Sequence, residues 1–377
     1  MKRLLSIRHT ISIALAFAFP VVAWSILPAE SPLRGQVRTD PAAVIDTIDS
    51  SRVMGAQSCA DCHEQESLSL HAGQHYKSDQ RIRKFEGNTK KYCEALGITA
   101  EQLRTESVCL KCHTTVQSGT GAGTKNISGV SCESCHGPAG GDEGWLNIHA
   151  VFGANGTTSE DETPEHRTMR RKRCAEAGMR RAEDIRAMAA NCYRCHLIDL
   201  PELFAAGHPA GSNGFEFVRW TSGEQRHNFL LNRAVNAAGP SRLLKETGRT
   251  PQEHQRLKYV VGALVELEMS LRIRARAVAA PDVDFAAQMG ARVAVLNRKL
   301  TAISAAAPEI VPAVAFLGPI MERVFLGKPD DATFYEDAAD KVANVTTEFL
   351  ENHDGSKLEA VDALIATRPA RGTPFAP

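Results

Sequence analysis

The sequence predicts a mainly α chain with long loops and little sheet, closing in a C-terminal α-helical bundle. Three observations carry this prediction. Apolar residues beyond residue 250 recur at helical spacing, and alternating Val/Ile/Thr runs are scarce throughout. In addition, ten glycines crowd the stretch from Gly119 to Gly156, which disfavours regular structure there. The chain has 377 residues, enough for two or three compact units, and Lys+Arg and Asp+Glu both count 44. A neutral chain gives no electrostatic footprint for nucleic acid, and no nucleic-acid partner is expected.

Taken in order, residues 1–30 read as an export signal or N-terminal anchor. Lys2, Arg3 and Arg8 precede an apolar run from Ile11 to Leu27 that Pro20 interrupts, with Ala23 and Ala29 near candidate cleavage points. The expected location is therefore periplasmic or otherwise extracytoplasmic, with membrane anchoring if the run is retained. Residues 31–54 form a polar linker. All ten cysteines then fall between Cys59 and Cys195, so residues 55–230 are expected to form one unit and the cysteine-free residues 231–377 another.

The cysteine-bearing region contains an internal repeat. Cys59-Ala60-Asp61-Cys62-His63, an isolated Cys93 and Cys109-Leu110-Lys111-Cys112-His113 are echoed by Cys132-Glu133-Ser134-Cys135-His136, Cys174 and Cys192-Tyr193-Arg194-Cys195-His196. Cys93-Glu94-Ala95-Leu96-Gly97-Ile98 also aligns with Cys174-Ala175-Glu176-Ala177-Gly178-Met179. Two tandem units, about 55–118 and 128–200, are expected, with the third Cys-x-x-Cys-His sequence in a long loop region.

In the C-terminal part, Thr250-Pro251-Gln252-Glu253 has the form of a helix start with a capping box. Stripes then run through Leu257, Val260, Val261, Leu264, Leu267 and Leu271, through Val293, Leu296, Leu300 and Ile303, and through Phe334, Ala338, Val342, Val345 and Phe349. Pro281, Pro308, Gly327 and Pro329 separate them into an antiparallel bundle. His254 and His353 are expected to be solvated on these helices. The bundle is a candidate surface for oligomerisation or for a partner protein.

The chemistry lies in the four Cys-x-x-Cys-His sequences. Two thiols three residues apart can form thioethers to the two vinyl groups of haem, and the next His is directed at the iron. Structural zinc or a redox dithiol would need the Cys pair alone, whereas all four pairs here carry the His. Four covalent haem c groups are thus expected, held by Cys59, Cys62, Cys109, Cys112, Cys132, Cys135, Cys192 and Cys195, with His63, His113, His136 and His196 on the irons.

For the opposite axial positions, spacing selects His75, His149 and His208, which follow His63, His136 and His196 by twelve, thirteen and twelve residues. Neutral imidazole suits that role. His71 competes with His75, whose spacing is the one repeated. No His follows His113 before His136, so the second haem draws on a remote candidate, His166 or His227, or keeps an open iron; Met169 and Met179 are further alternatives. Cys93 and Cys174 read equally as a disulfide joining the repeats or as two buried core residues. Arg167, Arg170, Arg171, Lys172 and Arg173 read as propionate partners or, more commonly for such a run, as a solvated helix face.

Residues 55–230 resemble the cytochrome c-554 family of multihaem proteins. The resemblance rests on the four motifs, on Gly129-Val130-Ser131-Cys132-Glu133-Ser134-Cys135-His136-Gly137-Pro138, and on His75. It implies a mainly helical periplasmic protein with stacked haem pairs that passes electrons between redox partner proteins, and it allows one five-coordinate haem among bis-His ones. An electron carrier is the expectation; the alternative is a multihaem oxidoreductase acting on a small nitrogen or oxygen compound at one open iron.

Overall fold

A computed structural model describes residues 48–105, 108–118, 125–209, 215–222, 244, 247–279, 283–326, 331–366 and 371. The N-terminal apolar run, most of the linker, the expected boundary at residues 230 and 231, and His227 lie outside the described residues. No described helix is long and apolar enough to cross a membrane.

The fold is mainly α, and all described residues belong to one compact unit. The sheet among the described residues is a two-stranded antiparallel hairpin, Thr115–Ser118 with Lys125–Ser128, in which Thr115 faces Ser128. The second of these strands falls inside the glycine-rich stretch and the first ends just before it. The third motif is itself a regular helical turn, Cys132–His136, rather than loop.

The bundle is organised by one 29-residue helix, Pro251–Ala279, hereafter the central helix. Its start is the expected reciprocal cap: Glu253 Oε2 accepts from Thr250 N–H at 2.7 Å, and Thr250 Oγ1 accepts from Glu253 N–H at 3.2 Å. The helices Val283–Ala306 and Ala332–Asn352 pack against it. So does Ile185–His196, the helix that ends in the fourth motif. Leu257, Val261, Leu264 and Leu271 share one apolar cluster with Val293, Leu300, Val342, Ile185, Met188 and Tyr193. A haem-motif helix is thus built into the core of the cysteine-free bundle. Because the central helix is surrounded, most of its charged residues, Arg256, Lys258, Glu266, Glu268, Arg272 and Arg274, are buried, and buried charge calls for partners. Arg272 meets Glu268, Glu336 and Asp340, and Arg256 meets Asp362 through two bonds of 2.8 and 2.6 Å.

The letter repeat around Cys93 and Cys174 is a repeated helix stop. In Gly87–Ala95, Ile98 N–H reaches Cys93 O at 2.8 Å and Gly97 N–H reaches Glu94 O at 3.2 Å. In Pro164–Glu176, Met179 N–H reaches Cys174 O at 2.9 Å and Gly178 N–H reaches Ala175 O at 3.0 Å. Gly97 and Gly178 sit at φ +65° and +98°, the left-handed position that such a stop requires. Both cysteines are free thiols in separate apolar clusters, Cys93 with Ile82, Leu103 and Leu110, Cys174 with Ala139 and Trp145. Of the two readings, the structure shows buried core residues.

His254 corrects an expectation. It is fully buried on the central helix, and neither ring nitrogen has a hydrogen-bond partner. Burial, with Lys258 and Arg249 nearby, pushes its pKa down to about 3. The folded state therefore excludes a proton that the unfolded chain accepts below about pH 6.5. Stability from this residue is fully present above pH 6.5 and falls by roughly 1.4 kcal/mol per pH unit between there and about pH 3. Denaturant melts of wild type and His254→Leu across that range should diverge accordingly, with the variant losing less stability on acidification. Parallel curves would show that His254 is not what the acid attacks.

Candidate haem sites

A Cys-x-x-Cys-His sequence needs a helical turn to aim both thiols and the imidazole at one ligand, since positions i, i+3 and i+4 share a helix face. All four motifs adopt it. The second and third are the short helices Cys109–His113 and Cys132–His136, and the fourth is the last turn of Ile185–His196. In the first, His63 N–H bonds to Cys59 O at 2.9 Å, continuing the turn begun by Gln57–Ala60. All eight motif cysteines are free thiols, as thioether formation requires.

The histidines expected on opposite sides of the irons come together in pairs. The rings of His63 and His149 are 5.9 Å apart between centroids, those of His75 and His196 6.0 Å, and those of His113 and His208 6.0 Å. Two imidazoles binding one iron from opposite faces need about 6 Å, from roughly 2 Å per metal–nitrogen bond and a little over 1 Å from nitrogen to ring centre. In each pair the downstream His crosses to another motif. His75, from the first motif, faces the fourth; His208, from the fourth, faces the second; His149, from the third, faces the first. The second motif, which has no nearby downstream His, is served by this crossing.

His166 stands elsewhere, its Nδ1 2.8 Å from Glu162. His71 packs edge-on against Tyr76 at 4.1 Å. The His136 Nδ1 lies 2.8 Å from Arg180 O, and a proton donated there leaves Nε2 as the metal-binding atom.

Electrostatics keep these imidazoles in the form that binds metal. Burial, aided by neighbouring His and Arg groups, lowers His113 and His149 to about 4 and His196 to about 3. Burial also lowers His136 and His208. All five are neutral at pH 7. The His149 Nδ1 and Trp145 Nε1 are buried without a hydrogen-bond partner, as expected of groups that acquire one only when a large polar ligand is bound. On donor identity, ring separation and protonation, the residues fit covalent haem with two axial histidines.

Several anchors that hold this arrangement escaped sequence reasoning. Glu133, fully buried between the two cysteines of the third motif, accepts from the backbone N–H of Met54, Gly55 and Ala139 at 2.8–2.9 Å. It pins the N-terminal segment to that motif. The Ser78 hydroxyl lies 2.6 Å from His75 O and 2.8 Å from His113 O, and accepts from Val130 N–H at 3.1 Å. One small side chain therefore joins a distal His, a proximal His and the approach to the third motif. Gly129 makes that joint possible, since a Cβ there would fall 1.9 Å from Tyr76 O.

The basic cluster divides. Arg170 forms two 2.6 Å bonds to the buried Glu162 and donates to His149 O at 3.1 Å. Arg167 adds a 3.2 Å bond to Glu162. The Arg170 bonds above all, with His166 and Arg167, draw the Glu162 carboxyl down to about 2. Lys172 faces outward beside Glu176. Arg170 thus positions His149, and neither original reading of the cluster describes it.

The thiols show which motifs are neighbours. Cys59 hydrogen-bonds with Cys132, and Cys112 with Cys195. Cys135 is within electrostatic reach of both Cys192 and Cys195.

Helical turns presenting paired thiols, with imidazole rings set in pairs, fit a c-type cytochrome, with haem c as cofactor and electron transfer as its role. Residues 58–137 match the model of the family described as cytochrome c554 and c-prime, which supports a cytochrome of that kind. The match takes in the first three motifs and stops before the fourth. No curated protein and no solved structure matches the chain.

Arg170→Ala strands a buried carboxylate and releases the His149 carbonyl, which should cost about 3–5 kcal/mol. Arg167→Ala, at a more exposed edge of the same carboxylate, should cost about 1 kcal/mol or less. Chemical denaturation of the two variants checks this, and equal losses would contradict the assigned division of labour.

Proposed function

We propose that this chain is a periplasmic tetrahaem cytochrome that carries electrons between redox partner proteins. Three irons are bound by His63 with His149, His113 with His208, and His196 with His75, and the fourth is held by His136. The observation that carries this reading is the set of three imidazole pairs separated by 5.9–6.0 Å. A bound haem supplies the one-electron change at iron. The chain's own part is to occupy both axial positions of those three irons with imidazole rings that the fold holds in place, so that charge changes with little movement of the ligands.

The thiol contacts support a linear arrangement of the attachment sites: first beside third, third beside fourth, fourth beside second. The ends of that line are the Cys59–Cys62 and Cys109–Cys112 turns. At the first of these Cys62 is exposed, and about half of the His63 side chain is accessible. Partner proteins are expected to dock at these ends. The basic and apolar N-terminal run supports a location outside the cytoplasm, with the protein either released or held by that run, and fractionation of the producing cells distinguishes the two.

The test is intact mass for haem content, followed by electron paramagnetic resonance of the oxidised protein. Four covalent additions are expected, with low-spin ferric signals from the three irons that have two axial histidines and any high-spin signal confined to the iron held by His136. His208→Ala should keep four haems while converting one low-spin signal to high spin. Retention of every low-spin signal would sink the pairing with His113. A wild-type high-spin signal exceeding one iron in four would count against the three bis-His pairs and a pure carrier.

A further inference from the structure

The central helix passes directly behind the fourth motif, and it brings charge into a place otherwise closed to solvent. Lys258 is 2 % exposed. Its ammonium donates to Thr221 Oγ1 and sits 4.9 Å over the Phe217 ring. Thr221 and Phe217 belong to the short helix Phe217–Thr221. The residues around that helix enclose the fourth proximal ligand: Phe215 stacks on His196 at 4.2 Å, and Trp220 meets it edge-on at 5.2 Å. Lys258 is also within electrostatic reach of Cys192.

About two turns further along the central helix, Glu266 Oε2 accepts at 3.1 Å from Tyr193, which lies between Cys192 and Cys195 and is wholly buried. Glu266 is held in turn by Arg292 at 2.7 Å and approached by Lys299 at 3.9 Å. The central helix therefore sets a buried cation and a buried carboxylate against the same haem-attachment turn.

We propose that Lys258 and Glu266 set the redox potential of the haem attached at Cys192 and Cys195, the cation raising it and the carboxylate lowering it. The inference rests on the covalent-haem reading above and extends it to a region outside the matched stretch. A fixed positive charge in a low-dielectric surrounding favours the ferrous state of a nearby iron, and a negative one favours the ferric state. Screening by salt is weak at such depth, so the effect should persist at high ionic strength. Both residues act on the iron through space and through the elements they hold, Thr221 and Tyr193, without touching it. They are positioning and tuning residues, not ligands.

The experiment is a potentiometric titration of the holoprotein, wild type against Lys258→Met and Glu266→Gln, at pH 6.5 and in both low and high salt. Intact mass and peptide mapping come first. Absence of haem at Cys192 and Cys195 would overturn the underlying reading. With four haems in place, Lys258→Met should lower one midpoint potential and Glu266→Gln should raise one. In each case it should be the haem whose low-spin signal is lost in His75→Ala. Opposite shifts are the signature that lost packing alone would not give. Unmoved potentials, or shifts of the same sign, would overturn the proposal. Glu266→Gln preserves shape and an acceptor for Tyr193, so it decides the matter if Lys258→Met does not fold.

Discussion

The constraint on which this structure turns is a gap. Three pairs of imidazole rings must be held about 6 Å apart, close enough to share one iron and too far apart to pack directly on one another. Apolar collapse works against such an arrangement, because packing fills space and desolvated nitrogens seek partners. The chain meets the demand from behind the rings. Arg170 grips the carbonyl of His149, Tyr92 lies 4.7 Å from the His208 ring, and Ser78 ties the carbonyls of His75 and His113. Three of these imidazoles, His75, His113 and His149, are thus fixed through their backbone carbonyls, which leaves the ring nitrogens to a metal.

What could be read in the letters follows from what is local. The helix stripes from Leu257 and Val293 are core because a 3.6-residue period is decided within a few turns. The Cys-x-x-Cys-His turns are equally local, and so is the helix stop that Gly97 and Gly178 both serve. The partners of the rings were not legible. Constant spacing marked His75, His149 and His208, but spacing counts residues along one segment, whereas each of these faces a motif brought in by the fold. His254 was misread for a different reason. Its polar neighbours Gln252, Glu253 and Gln255 imply a solvated turn. Yet it lies three and seven residues before Leu257 and Val261, squarely on the apolar stripe, and that phase was the better guide.

Buried charge is the second theme. Glu133, Glu162, Glu266, Lys258 and Arg272 are all inside. None announces itself in composition, since an ionisable residue becomes buried only when a distant partner arrives. Here the partners are backbone amides for Glu133, guanidinium groups for Glu162 and Glu266, and carboxylates for Arg272. Such contacts contribute little net stability while intact, but they are costly to break. They fix where neighbouring segments meet, which in this protein means where the haem-binding turns meet.

The crossing of the histidines bears on how this architecture can be divided. In sequence the two halves of the region match in the order of their cysteines and in their helix stops. In space each half lends rings to the other: His149 leaves the second half for the first motif, His75 leaves the first half for the fourth, and His208 leaves the second half for the second. An ancestral half-molecule with two haem-binding turns would have needed a second copy of itself to complete its sites. The present chain resembles such a dimer fused end to end, its subunits exchanging parts, so that the genetic unit and the working unit no longer coincide.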